Sequence, residues 1–400
     1  MKLKVAALLC MMGLVALGGF ATGPAHAALL DGLFGKKPAA VNYSDIYPIQ
    51  SEDEFYNVAK SIHRTPYNDP QIEFEIMMPK DWVSEEIPQT HDAYGASREL
   101  MGDIAKFISP VMSTMRALVT VKSIKLEHEI SAENWLKGYI LSNKYNLQGA
   151  VTAFNDRKAT AECISTALDG SSSYIYVAAH INGSDGVLVQ FESPLALKDV
   201  VAVVRKLIVD NFKFILETDR PIENLKSFNF ANGLKFRYPE SLILNHVDDG
   251  DTRHMSMQLY NIARQDVIDQ TQGKSLSQIQ GLIRFIVVKR NASTSLKKET
   301  DDIKSFVKNI LGLEITKLVS SDPAPVTTTR FLGKGNFSRY EVYQASPKRS
   351  NAIPEEIRFV ALGDKKWYIF GLLFTPSDAE NFYAWAVNIQ DFDMMIKDFK

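Results

Sequence analysis

The chain has 400 residues, 46% of them hydrophobic and 23% charged, the usage of an ordinary globular protein. That excludes a disordered, collagen-like or heptad-dominated chain, and the length fits two or three domains. Forty-five basic residues stand against 47 acidic ones, a formal charge of −2, so neither a nucleic-acid-binding excess nor a solvating acidic tail is present.

Residues 1–27 read as a secretory signal peptide. Lys2 and Lys4 give the basic start, an apolar stretch runs from Val5 to about Phe20, and Ala25-His26-Ala27 supplies a small-x-small cleavage site. Cleavage after Ala27 removes two of the 45 basic residues and leaves 43 against 47 acids, a formal −4. No later stretch is long and apolar enough to span a bilayer. The expectation is an exported protein without a transmembrane segment, periplasmic in a Gram-negative source. Only Cys163 survives cleavage, so no intramolecular disulfide forms. Its neighbours Ala161 and Ile164 predict a buried strand position.

Residues 28–70 form a lead-in. Within it, Ser51 and Glu54 make a capping box for a short helix reaching about His63, with Phe55, Val58, Ala59 and Ile62 on its apolar face. A first domain is expected over 71–222. It opens with a period-two strand from Ile72 to Pro79, followed by Trp82. An insertion near 84–115 contains a helix-like run, Ser97 to Ile108. A strand follows within Arg116–Ile130, then a helix capped by Ser131. Strands are expected at 149–154, 160–168, 173–181 and 186–192, and a closing helix over 195–214.

A second domain, 223–400, repeats this order. Leu234 to Pro239 is a period-two strand with Leu242 three residues on. Leu282–Lys289 is the next strand, and a helix carries Ile303, Phe306, Val307, Ile310 and Leu311 on one face. Strands at 313–319, 327–333, 337–344, 356–363 and 366–374 lead to a closing helix over 376–399. The internal similarity and the hairpin-like spacing give an α+β fold class. Each of two related α/β/α sandwich domains then has a central antiparallel sheet covered by helices.

This order resembles the Mog/PsbP-like superfamily. Phe74, Ile76, Pro79, Trp82, Phe212 and Phe214 carry the resemblance in the first half. Phe236, Tyr238, Pro239, Leu242, Trp367, Phe374 and Phe399 carry it in the second. The resemblance implies binding and assembly factors rather than enzymes, since members serve nuclear transport, photosystems and secretion. Two copies in one chain and the insertion depart from the single-domain pattern.

No catalytic signature appears. There is no GxSxG elbow and no HExxH, and Gly333-Lys-Gly335 lacks the rest of a phosphate loop. A hydrolase would need a dispersed triad. No motif calls for a cofactor. The densest polar cluster, His246, Asp248, Asp249, Asp251 and His254, offers weak metal ligands and reads better as an Asp-Gly hairpin. Met101, Ile104, Phe107 and Met112 form a Met-rich stripe around Pro110. It reads either as core or as the contact surface for a protein partner. A lipid or apolar ligand beneath it as a lid is the alternative. Nucleic acid is not expected as a partner.

Overall fold

In a computed structural model, the residues described are 46–87, 101–264, 277–291, 295–309, 312–331, 336–347 and 355–400. Residues 1–27, read above as a signal peptide, the start of the lead-in, residues 97–100 of the helix-like run and Gly333-Lys-Gly335 lie outside them. All that follows concerns the unit 44–400.

Helix α1, Glu52–Val58, starts as its sequence dictates. Ser51 Oγ accepts from the Glu54 amide, and the Glu54 carboxylate accepts from the Ser51 amide at 3.0 Å. It does not continue to His63. Ala59–Arg64 is strand β1, paired antiparallel with β2, Phe74–Pro79, with Ile62 opposite Ile76. The edge of β2 offers a complete ladder to these residues, which outweighs a marginal helical preference.

The first large sheet contains β3 (Val83–Glu85), β4 (Met101–Ile108) and β5 (Leu118–Lys125). After helix α2 (Ala132–Ser142) it continues with β6 (Asn146–Leu147), β7 (Thr152–Asn155), β8 (Lys158–Thr166), β9 (Ser172–Asn182) and β10 (Asp185–Pro194). Its order is β3-β4-β5-β10-β9-β8-β6, with β7 also pairing β8. Ser131 caps α2 as expected, its side chain accepting from the Asn134 amide. The two-residue loop Gly183-Ser184 joins β9 to β10, and Gly183 takes φ +66° there. Helix α3 (Ala202–Asp210) and β11 (Lys213–Phe214), which pairs β2, close this half.

A short hairpin follows, β12 (Leu225–Asn229) with β13 (Lys235–Pro239). The second large sheet then takes β14 (Ile243–Asp251), β15 (His254–Arg264) and β16 (Ser277–Lys289). After helix α4 (Leu296–Asn309) it adds β17 (Leu313–Asp322), β18 (Phe337–Pro347), β19 (Glu355–Gly363) and β20 (Trp367–Thr375), before helix α5 (Phe382–Asp398). Its order is β14-β15-β16-β20-β19-β18-β17. Place for place, this is the first sheet's order. Every strand pairing is antiparallel, so the class is α+β with antiparallel sheets.

Each of the two large sheets carries a buried core on both faces of its central strands. In the first, Val204 and Ile208 of α3 cover one face with Phe74 and Ile76. Leu136 and Ile140 of α2 cover the other. In the second, Phe392, Met395 and Ile396 of α5 pack on one face with Phe236 and Phe285. Ile303 and Val307 of α4 lie on the other. Cys163 is fully buried on β8, where burial pushes its thiol up to about 11.

Two expectations are corrected. Residues 101–108 are a strand, not part of a helical insertion. A register shift between Asp103 and Ala105 bulges β4, so apolar residues three apart fall in one irregular strand. Within 327–333, the described residues make a 3₁₀ turn, Thr329–Phe331, with Phe331 buried. Phe107 is fully buried, whereas Val111 nearby is 56% exposed. Phe107→Ala is expected to cost about 3–5 kcal/mol in chemical denaturation. Val111→Ala is expected to shift stability by no more than about 0.5 kcal/mol.

Candidate functional site

Of the Met-rich stripe, Ile104, Phe107 and Met112 are buried in the core between the first sheet and α3. They face Val119, Val121 and Phe191 rather than solvent. Met101 lies at the start of β4. The three buried side chains are therefore core, and a partner or ligand does not reach them on this fold. Hydrophobicity drew attention to them, and burial is its commoner consequence.

The polar cluster near residue 250 is a hairpin, as its Asp-Gly suggested, but the turn falls later. Asp251 pairs with His254, and Arg253 folds back so that its amide and Nε donate to Asp251 Oδ1 at 2.9 and 3.0 Å. The guanidinium holds the Asp251 carboxyl below its usual range. His246 and Asp248 lie opposite Gln258 and Ser256, while Asp249 sits in the bulge between Asp248 and Asp251. Among the described residues, no three His, Cys, Asp or Glu side chains stand close enough to hold a metal ion.

What this hairpin presents instead is an edge. Among the described residues, strand β14 has one neighbour, β15, and all nine of its residues are exposed. Ile243 is 50% exposed, Leu244 39% and Val247 40%. Pro239 ends β13 and buried Leu242 anchors the turn, so β14 leaves the core with both faces in water. Two breaks in its pairing, after Leu244 and after Asp248, twist it further outward. The opposite edge, β17, exposes Leu318 and Val319. The first sheet ends differently among the described residues: β3 has three residues and β6 two. Short edge strands are a common protection against unwanted pairing, and the second sheet lacks it.

A second unusual place lies where the halves meet. Helix α5 carries Ala386 and Val387 into the α2 side of the first half, and Ile389 and Phe392 into the second sheet. Phe382 lies against Gly138 of α2. Beside it, two glutamates clasp the connector. Glu223 donates its amide to Glu129 Oε1 at 3.1 Å, and Glu129 donates its own to Glu223 Oε1 at 3.2 Å. The Ser241 amide donates to the other oxygen of Glu223, and His128 Nδ1 stands 3.5 Å from Oε1. Burial pushes both carboxyls up. For Glu223, His128 and Ser241 outweigh it and leave the group below its usual value, whereas Glu129 stays raised.

On the sheet side, α5 is tied by a polar chain. Tyr340 Oη donates to Asp393 Oδ1, and Arg358 donates to Tyr340 Oη and to Glu356 Oε1. Trp385 Nε1 donates to Glu356 Oε2. The sequence signal for this chain was Glu356 and Arg358, two charges two apart in an apolar strand. The glutamate clasp left no such signal, because Glu129 and Glu223 are 94 residues apart.

No protein-family model matches this chain, and no curated protein does. Among solved structures, the Ran-binding protein Mog1p of Saccharomyces cerevisiae is similar at 13% identity and TM-score 0.29. The match covers 44% of this chain and 95% of that one. Cyanobacterial PsbP from Synechocystis is similar at 12% identity and TM-score 0.28, over 39% of this chain and 92% of its own. No helix among the described residues is long and apolar enough to cross a membrane.

Removing the Glu223 carboxylate leaves the amides of Glu129 and Ser241 without their acceptors. Glu223→Ala is expected to cost about 1–3 kcal/mol at pH 7. The folded Glu223 is lowered, so its contribution is present above the unfolded value and fades as pH falls through the folded one. The gap between variant and wild type in urea melts should therefore shrink below about pH 4.

Proposed function

We propose that this chain is an exported, non-enzymatic binding protein, periplasmic in a Gram-negative cell, that docks a protein partner in an assembly or secretion role. In this reading it carries two related Mog/PsbP-like domains, 71–222 and 223–400. The shared strand order of the two sheets supports a duplication. The basic, apolar, small-x-small pattern of residues 1–27 supports export.

The observation that carries the binding function is the open edge of β14. A nine-residue strand whose main chain is unpaired on one side among the described residues, with three exposed aliphatic side chains, suits strand addition by an extended partner segment. Main-chain hydrogen bonds would supply affinity. Ile243 and Val247 would select aliphatic residues, and the acidic Asp248-Asp249 end would favour basic residues opposite it.

The test is native capture from the exporting cell's envelope with the tagged chain, compared with a Leu244→Lys, Val247→Lys double variant. Wild type is expected to retain a stoichiometric protein that the variant loses, with both melting alike because the two side chains are exposed. Equal capture by both, or capture by neither, would sink the reading.

A further inference from the structure

Asp391 lies on α5, in line with Tyr383 and Val387 at helical spacing. It has no exposed surface, and neither carboxylate oxygen has a hydrogen-bond partner. A buried acid left this way is rare in folded proteins. An ionised one would be far costlier than a neutral one. Its location is also specific. The adjoining residues of α5 pack into the first half through Ala386 and Val387, and into the second sheet through Ile389 and Phe392. The carboxyl thus sits on a helix that shares its sides between the two.

We propose that the junction between the two halves is a proton-gated clasp, closed while the Asp391 carboxyl keeps its proton and loosened when it gives that proton to solvent. The groups around it favour the protonated form. Glu223 of the connector and Glu129 of the loop after β5 both oppose a negative charge on Asp391. His128 of the same loop lies against Glu223 and 6.4 Å from the Tyr383 ring, and Glu127 also acts on Tyr383. Arg157, from the turn between β7 and β8, eases the charge of Glu129, but its Nη2 donates to the Arg220 carbonyl. No cation is hydrogen-bonded to Asp391 itself. Burial first, then Glu223 and Glu129, raise the carboxyl well above its ordinary value. Stability from the protonated acid is therefore complete below the unfolded carboxylate value. It is lost as pH rises toward the folded one.

The test compares the whole chain with Asp391→Asn, which is neutral at every pH, in thermal melts from pH 4 to 9. Wild type is expected to lose stability as pH rises, and the variant to lose less and to melt higher than wild type at pH 8. A second measurement needs no variant. Hydrogen exchange of wild type, corrected for the chemical rate, should report opening of segments 126–131 and 382–394. Opening should grow up to about tenfold per pH unit while Asp391 titrates, with the outer strands of the sheets unchanged. A variant whose pH profile parallels wild type would overturn the proposal. So would junction segments whose corrected exchange does not respond to pH.

Discussion

The architecture depends on one helix serving two cores. Helix α5 buries Ala386 and Val387 against the first half while Ile389, Phe392, Met395 and Ile396 pack on the second sheet. Fully burying a large aliphatic or aromatic side chain is worth roughly 1.5–3 kcal/mol, so the second set alone anchors the helix firmly. Ala386 and Val387 pack against the α2 side, and Phe382 fills the space over Gly138. Neither packed face of this helix can shift without opening a void.

The polar groups at the junction follow from that geometry. The connector has to cross between two cores, and its backbone amides need acceptors where water is scarce. Glu129 and Glu223 supply them reciprocally, each accepting the other's amide. The arrangement concentrates negative charge beside the buried carboxyl of Asp391. The polar chain from Asp393 to Trp385 on the sheet side is different, since every link in it is a hydrogen bond. One side of α5 is thus tied by hydrogen bonds, while the other holds a buried carboxyl that accepts none.

Among the described residues, the second sheet ends in long edge strands and the first in short ones. Edge main chain is sticky in any context. Here β14 carries Asp248 and Asp249 at one end and two bulges along its length, which restrain indiscriminate pairing. The aliphatic residues 243, 244 and 247 remain available beside them.

Local chemistry was legible in the sequence wherever a residue acts on its immediate neighbours. Ser51 with Glu54, the Ser131 cap and the strands ending at Pro79 and Pro239 are short-range effects, and each stands where it was expected. The repeat of element order was legible too, because it is periodicity compared with periodicity. Residues 59–64 and 101–108 were not. Their apolar spacing suits a helix, and only a partner strand and a bulge, contributed by distant segments, turn them into sheet. The same holds for the site. Hydrophobicity marked Phe107 and Met112 but could not say which face of the protein they meet. The clasp joins Glu129 to Glu223, and the environment of Asp391 needs both. Sequence determines what each residue can bond to; only the tertiary fold decides which distant groups arrive to bond it, and which, like the carboxyl of Asp391, are left without a partner.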